Sequence, residues 1–282
     1  MAADRELTGR TALVTGGARG IGAAIAVRLA AAGANVALFD KAEQPDPQVG
    51  SAPTVTERVE AAGGRALPIV GDLRRDEDVE SAVARTVAEF GGLDIVVNNA
   101  AAFDTTPTAK IPIKRYDLLH AVNTRGSFLV SRTALPHLET SPAAHILSIS
   151  PPLTLEPSWL GAHLAYTASR YAVSLATLGL AHELAEHGIA ANSLWPSTSI
   201  GTEAIRVILG EDIAARRSRR PEIMADAAFA VVRQDPRSCT GNLFTDEEVL
   251  RAEGVTDFAP YRLGDSDDQL EASWFLPGSS AR

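Results

Sequence analysis

Gly16, Gly20 and Gly22 stand directly after the apolar run Thr11-Ala12-Leu13-Val14 and open an alanine-rich stretch. A strand that turns sharply into a helix leaves unpaired backbone N–H groups at the positive end of that helix. Glycine permits the turn and lets a ligand reach the backbone with no Cβ in the way. Such a turn binds phosphate. Its natural guest here is the pyrophosphate of a dinucleotide, with Gly16, Arg19, Gly20, Ile21 and Gly22 around it. The rival is a P-loop, which needs a Lys-Ser/Thr pair at its end. Ala23-Ala24 follows Gly22, so a nucleoside triphosphate is excluded.

Further polar residues sit at the ends of apolar runs. Asp40 ends the second run, eighteen positions after Gly22. An acid there can accept both ribose hydroxyls of the adenosine half of NAD and repels a 2′-phosphate. Its neighbour Lys41, with Arg19, would favour NADP instead, so the reading inclines to NAD with NADP open. Asp72, in Gly71-Asp72-Leu73 after the third run, is placed either to bond the adenine amino group or to cap the next helix. Asn98-Asn99-Ala100 ends the fourth run. Asparagine both donates and accepts, so it can fix adjoining strand ends and the adenosine ribose together.

These residues, with Asn123 and Tyr166-Thr167-Ala168-Ser169-Arg170, resemble the NAD(P)-dependent short-chain dehydrogenase/reductase family over about residues 8–245. The resemblance implies a three-layer Rossmann fold and hydride transfer between a nicotinamide and a small carbonyl or alcohol substrate. It assigns Tyr166 as the acid/base. Arg170, four residues on and on the same helix face, stands where the family has a lysine that binds the nicotinamide ribose and lowers the phenol's pKa. Arginine keeps the charge but cannot release its proton. Asn123 matches the family asparagine that holds a water near that lysine, with a buried amide bonded to backbone as the alternative. Pro196, Ile200 and Thr202 fall about where family members contact the carboxamide and diphosphate. Pro151 takes the place of the family's catalytic serine and has neither hydroxyl nor N–H. Ser150 or Ser148 could take that serine's role only with a rearranged loop. The missing lysine and serine also support a second reading, a cofactor-binding protein with little or no dehydrogenase activity. A homotetramer or homodimer built on the two longest helices is a further implication of the family.

The elements that must position these residues follow from hydrophobic patterning. Strands are expected at 11–15, 35–39, 66–70, 93–97, 145–149, 190–194 and 242–244. Most are short continuous apolar runs, as in strands buried on both faces. Helices are expected at 22–32, 76–90, 116–138 and 162–187; Val79, Val83 and Val87 mark the buried stripe of the second. The alternation predicts one α/β domain with a doubly wound, mostly parallel sheet of seven strands over residues 1–245. Residues 41–53 carry three prolines and read as an inserted loop. A substrate lid is expected at about 197–221, and an acidic extension, 246–282, is expected to pack on the surface or fray.

Composition narrows the partners. The chain has 282 residues, is 45% hydrophobic and carries a net charge of −9, so nucleic acid is a poor partner. One cysteine, Cys239, cannot close an internal disulfide, which fits a reducing cytoplasm. The opening Met1-Ala2-Ala3-Asp4-Arg5-Glu6 is unlike a secretory signal, and no apolar run reaches the ~20 residues of a membrane helix. The histidines show no metal spacing, and no Gly-x-Ser-x-Gly elbow occurs. Arg216-Arg217-Ser218-Arg219-Arg220 reads as a solvated helix face or subunit contact, or as an anion-recognising rim. Trp159 and Trp195 flank the expected pocket, with Leu153, Leu155, Leu160 and Leu164 nearby.

Overall fold

The computed structural model describes residues 6–41 and 54–276. Seven strands form one sheet: β1 (Thr11–Thr15), β2 (Asn35–Asp40), β3 (Ala66–Val70), β4 (Ile95–Asn98), β5 (Ala144–Ile149), β6 (Ile189–Trp195) and β7 (Leu243–Thr245). Their order is β3-β2-β1-β4-β5-β6-β7, and every neighbouring pair is parallel. β1, β4, β5 and β6 are buried along their whole length, which is why their sequences are continuous apolar runs rather than alternating ones. Apolar side chains divide into two clusters, one holding Val14, Val36 and Leu147, the other Leu13, Ala37 and Ile146. Adjacent residues of one strand fall in different clusters, as successive side chains of a covered sheet must.

The strand order reverses between β1 and β4, the switch point where open α/β sheets hold ligands beyond the carboxyl ends of the strands. Register brings those ends level: Thr15 pairs with Phe39 and Val14 with Val97. Gly16, Asp40 and Asn99 therefore emerge together.

The helices are α1 (Gly20–Ala31), α2 (Val55–Ala61), α3 (Asp76–Phe90), α4 (Ile113–Leu119), α5 (Ser127–Leu138), α6 (Pro157–Ala162), α7 (Leu164–Glu183), α8 (Glu203–Leu209), α9 (Glu211–Arg217), α10 (Glu222–Val232) and α11 (Asp246–Ala252). The helix expected at 116–138 is in fact α4, a π-helical segment His120–Gly126, and α5. The one expected at 162–187 stops at Glu183. α10, which the sequence reading did not identify, packs on α1 and is tied to it by Arg28 Nε–Asp226 Oδ1 at 2.7 Å. Of the proline-bearing loop expected at 41–53, only Lys41 lies within the described residues.

After β7 the chain packs back on the domain, with Val249, Leu250, Phe258 and Phe275 buried. α11 opens with a capping box in which Thr245 and Glu248 exchange side-chain-to-backbone bonds. Two short 3-10 turns, Ala259–Tyr261 and Asp267–Gln269, carry the chain back to the lid. Among the described residues, no helix is long and apolar enough to cross a membrane.

Candidate functional site

Two adjoining cavities open beyond the carboxyl ends of the strands. The first, of about 380 Å3, is lined by Gly16, Arg19, Gly20, Ile21, Asp40, Lys41, Leu73, Asn99, Ala100 and Thr202, among others. The glycine turn builds its floor. Gly16 and Gly20 have φ of +64° and +55°, a region that L side chains rarely adopt. A Cβ on Gly16 would lie 2.9 Å from Ala100 Cα, and one on Gly22 only 2.3 Å from Gly16 O. Gly22 does not line the cavity; its part is to let α1 pack against the end of β4. Asn99 staples the turn, its Nδ2 donating to Thr15 O (2.9 Å) and Gly16 O (3.1 Å). The Thr15 hydroxyl accepts from the amides of Asn99 and Ala100. No side chain caps the amino end of α1. The amino end of α1 therefore offers amides to a phosphate, which suits a dinucleotide diphosphate, with the Thr202 side chain close to Gly20.

Charge in this cavity is balanced internally. Asp40 Oδ2 accepts Ala18 N–H at 3.1 Å and Oδ1 accepts Lys41 N–H at 2.7 Å. Lys41 Nζ turns to Asp72 Oδ2 at 3.4 Å, and Arg19 reaches Glu203 of α8 at 2.9 Å. Asp72 departs from expectation. Arg74 binds its carboxylate and holds it well below the usual carboxylate range. Gly71 and Leu73 line the cavity, but Asp72 does not.

The second cavity, of about 230 Å3, shares Ile21, Asn99, Ala101 and Thr202 with the first. Tyr166 and Arg170 face it from α7, joined by Trp195, Pro196, Ile200 and Trp274. Tyr166 is 6% exposed and meets Phe103 edge-on, centroids 4.9 Å apart. Arg170 is 3% exposed, its Nε has no partner, and its guanidinium lies 5.6 Å from the Trp195 ring centroid. Burial raises the phenol's pKa, while the charge of Arg170 pulls it down. The net direction is upward, so the depression expected from Arg170 alone is outweighed by desolvation. Burial also lowers the pKa of Arg170, which nonetheless stays charged as arginines do.

Asn123 lies in the π-helical segment, fully buried. Its Oδ1 accepts Ala102 N–H (2.7 Å), and its Nδ2 donates to Ala102 O (3.0 Å) and Ser169 Oγ (2.9 Å). These bonds occupy both ends of the amide, so the side chain ties the loop after β4 to α7 one turn from Tyr166. These are the bonds of the backbone-bonded alternative.

Ser150 is not in the cavity. It is 0% exposed and its hydroxyl has no partner; neither it, Ser148 nor Pro151 lines the space. The loop that follows is tied to α7 by Ser174 Oγ donating to Pro151 O at 2.6 Å and Tyr171 Oη donating to Thr154 O at 3.0 Å. Those bonds fix the loop to α7.

Of the lid expected at 197–221, Thr202 lines both cavities, Glu203 the first and Ile205 the second. The basic run inside it divides. Arg216 and Arg217 are exposed, whereas Arg219 is buried, pairs with Glu247 and lies 5.3 Å from the Phe258 ring centroid. The run therefore does not form one continuous solvated face. Trp195 lines the second cavity as expected, but Trp159 is buried behind it and none of the four flanking leucines reaches it; Leu155 is 83% exposed. Among the described residues, no group of three or more His, Cys, Asp or Glu is placed to hold a metal ion.

The sequence reading missed Trp274 and Ser273, which line the second cavity. The signal was present in the adjacent aromatics Trp274-Phe275 within an otherwise polar, acidic tail.

Known proteins share this arrangement. The short chain dehydrogenase family model matches residues 10–207. Hydroxysteroid dehydrogenase-like protein 2 of Homo sapiens is 44% identical over 259 residues, which are 92% of this chain and 61% of that protein. The Rattus norvegicus protein of the same name is 44% identical over 92% of this chain and 49% of its own length. The chain thus spans about half to three fifths of the length of these relatives. A short chain dehydrogenase from Mycobacterium thermoresistibile superposes with a TM-score of 0.88 at 44% identity, covering 96% of this chain and 98% of that one. Another, from Burkholderia cenocepacia J2315 and solved in complex with NADP, gives 0.73 at 33% identity, over 85% of this chain and 97% of that one. The chain belongs to the short-chain dehydrogenase family of oxidoreductases.

Proposed function

We propose that this protein is an NAD(P)-dependent oxidoreductase that interconverts a carbonyl and an alcohol, with Tyr166 as the acid/base. The observation that carries this reading is the adjacency of the two cavities: the glycine turn lines one, Tyr166 the other, and Ile21, Asn99, Ala101 and Thr202 wall both. A bound nicotinamide supplies or accepts the hydride at the substrate carbon. The chain does the rest. The amides at the start of α1 hold the diphosphate, Asp40 accepts the ribose hydroxyls, and Arg170 donates to the nicotinamide ribose from its unpartnered Nε. Tyr166 passes its proton to the substrate oxygen as the carbonyl is reduced, or takes it in the reverse direction. A phenol whose pKa burial has raised is protonated at neutral pH, which suits carbonyl reduction. The apolar walls exclude water from the transfer.

NAD is the preferred cofactor on this reading. Asp40 faces the ribose end, and the two cations that would greet a 2′-phosphate, Arg19 and Lys41, are each paired with an acid. The Burkholderia neighbour holds NADP, so both cofactors belong in the test. Two copies of this chain would pair through α5 and α7, whose Phe128 and Leu175 are exposed; the family resemblance extends this to a dimer or tetramer.

The deciding experiment is turnover of a carbonyl and alcohol panel with NADH and NADPH by the wild type and Tyr166→Phe. The expected result is a loss of about 10^2- to 10^4-fold in the variant, the usual worth of a positioned acid/base, with NADH affinity kept. Full turnover by Tyr166→Phe contradicts the assignment. The displacement of Ser150 from the site favours a second reading, a cofactor-binding protein without dehydrogenase activity. Tight NADH binding with no turnover on any substrate would select it.

A further inference from the structure

The chain's last described segment runs back across the second cavity, and the chemistry proposed above makes no use of it. It is fastened like a strand. Ser199 N–H donates to Glu271 O at 2.8 Å, Ser273 N–H donates to Ser197 O at 3.0 Å, and Thr198 and Ala272 form an antiparallel bridge between them. Trp195, itself a wall of the cavity, donates its indole N–H to Trp274 O at 2.9 Å.

Phe275 is the anchor. It is 2% exposed, with its ring 5.2 Å from Trp159, 5.4 Å from Tyr171 and 5.8 Å from Trp195 between centroids. It is also the one non-glycine residue at positive φ (+68°) among those described. Bulky side chains avoid that region, and such conformations persist only where the surroundings over-determine them, commonly beside functional sites. The reversal at Phe275 delivers its neighbour to the cavity.

Trp274 is placed there with purpose. Its indole stacks on His163 at 4.9 Å, lies 5.6 Å from Phe103 and meets Tyr166 edge-on at 6.3 Å, with 80° between planes. It thus overlooks the phenol from the lid side. The other walls include apolar Ile200, Ile205 and Trp195 together with the hydroxyl residues Ser199, Thr202 and Ser273. Part of the 230 Å3 goes to the nicotinamide on the reading above, so only a slender reactive end has room beside Tyr166.

We infer that Trp274 is a specificity-determining residue. It packs the reactive end of an apolar ketone or secondary alcohol, with a flat ring or unbranched chain next to the reacting carbon, against Tyr166. Charged and polyhydroxylated carbonyl compounds are disfavoured, because their polar groups would be desolvated against indole and isoleucine without partners. The inference rests on the reading of this space as the dehydrogenase site, and adds to it the substrate class and the residue that selects it.

The test uses the protein saturated with NAD+, to which a ketone binds without hydride transfer, so the readout does not require turnover. 2-Acetylnaphthalene and dihydroxyacetone are titrated calorimetrically into the wild type, Trp274→Ala and Trp274→Phe. The wild type is expected to bind the naphthyl ketone and not dihydroxyacetone. Trp274→Ala should weaken naphthyl binding at least about tenfold, as truncation of a buried aromatic anchor does, and Trp274→Phe should recover it to within about threefold. NAD+ affinity and thermal midpoint serve as controls and should hold in both variants. Equal naphthyl affinity in the wild type and Trp274→Ala overturns the inference. So does a wild type that binds NAD+ yet takes the naphthyl ketone no better than dihydroxyacetone, and that outcome leaves the cofactor reading standing. A wild type without affinity for NAD+ removes the cofactor reading, and this inference with it.

Discussion

The two cavities hold charge in opposite ways. In the first, Arg19 pairs with Glu203, Lys41 with Asp72, and Asp40 accepts two backbone amides. These groups are largely open to solvent, where such pairs contribute ~0–1 kcal/mol each. In the second, Tyr166 and Arg170 are buried among aromatic and aliphatic side chains, and Arg170 Nε bonds to nothing. The first cavity therefore works through backbone shape, the second through desolvation. Substitutions should follow that division: steric change dominates at the turn, burial governs titration on the sheet and α7, and surface charge tunes selectivity mildly.

The largest effect is expected where shape has no slack. A Cβ at Gly22 would lie 2.3 Å from Gly16 O in the turn and 2.4 Å from Asn99 Nδ2, which staples it. Gly22→Ala should cost about 3 kcal/mol of stability, the upper end for overpacking, and should abolish NADH binding. Urea unfolding and calorimetry check this; an undisturbed variant breaks the claim that backbone shape rules the first cavity.

Burial is next, and His145 in β5 isolates it. Burial first, and then the charge of Arg10, lowers its pKa to about 4, against the opposing bond to Gln234 O. Above the unfolded value of 6.5 the ring is neutral in both states and contributes no pH dependence. Between 6.5 and about 4 the unfolded chain takes a proton that the folded one refuses, so stability falls as pH falls. At pH 5 the loss amounts to about 2 kcal/mol. Urea midpoints at pH 7 and pH 5 should show it in the wild type and show it reduced in His145→Gln. Equal losses in the two proteins would remove burial of this ring as the cause.

Arg170 sharpens the same point within the site. Its charge opposes the upward shift that burial imposes on Tyr166. Arg170→Met should therefore move the basic limb of the pH–rate profile upward. A profile that stays in place, or moves down, would show that the guanidinium does not act on the phenol. The mildest change belongs to Asp40. Asp40→Ala should raise the NADPH-to-NADH affinity ratio about tenfold, about 1.4 kcal/mol, by removing the carboxylate from the ribose end. An unaltered ratio would take Asp40 out of cofactor choice.

What the sequence disclosed follows the same physics. Strands buried on both faces must be apolar throughout, so Leu13-Val14 or Ile95-Val96-Val97 announce themselves. A turn with positive φ needs glycine, which exposes the first cavity at Gly16 and Gly20. The Tyr166–Arg170 spacing places both on one face of α7, and the structure puts both at the second cavity. Three things were hidden. α10 is buried nearly all round, so it shows no amphipathic stripe. The π-helical segment at Asn123 shifts register inside a pattern that reads as one helix. The tail has no period because it is held by individual contacts, with Trp274 and Phe275 placed by tertiary packing rather than by local propensity. For Ser150, adjacency to the expected serine position does not tell which way a strand-end side chain faces; here it is buried and does not line the second cavity.

The central claim is that a dinucleotide rests its diphosphate on the amides opening α1 and extends its nicotinamide toward Tyr166. Calorimetric titration of the wild-type protein with NADH, and separately with NADPH, tests it most directly. Saturable one-to-one binding of NADH, tighter than that of NADPH and lost in Gly22→Ala, is the expected result. Absence of measurable heat and of competition with either reduced nucleotide would contradict the account.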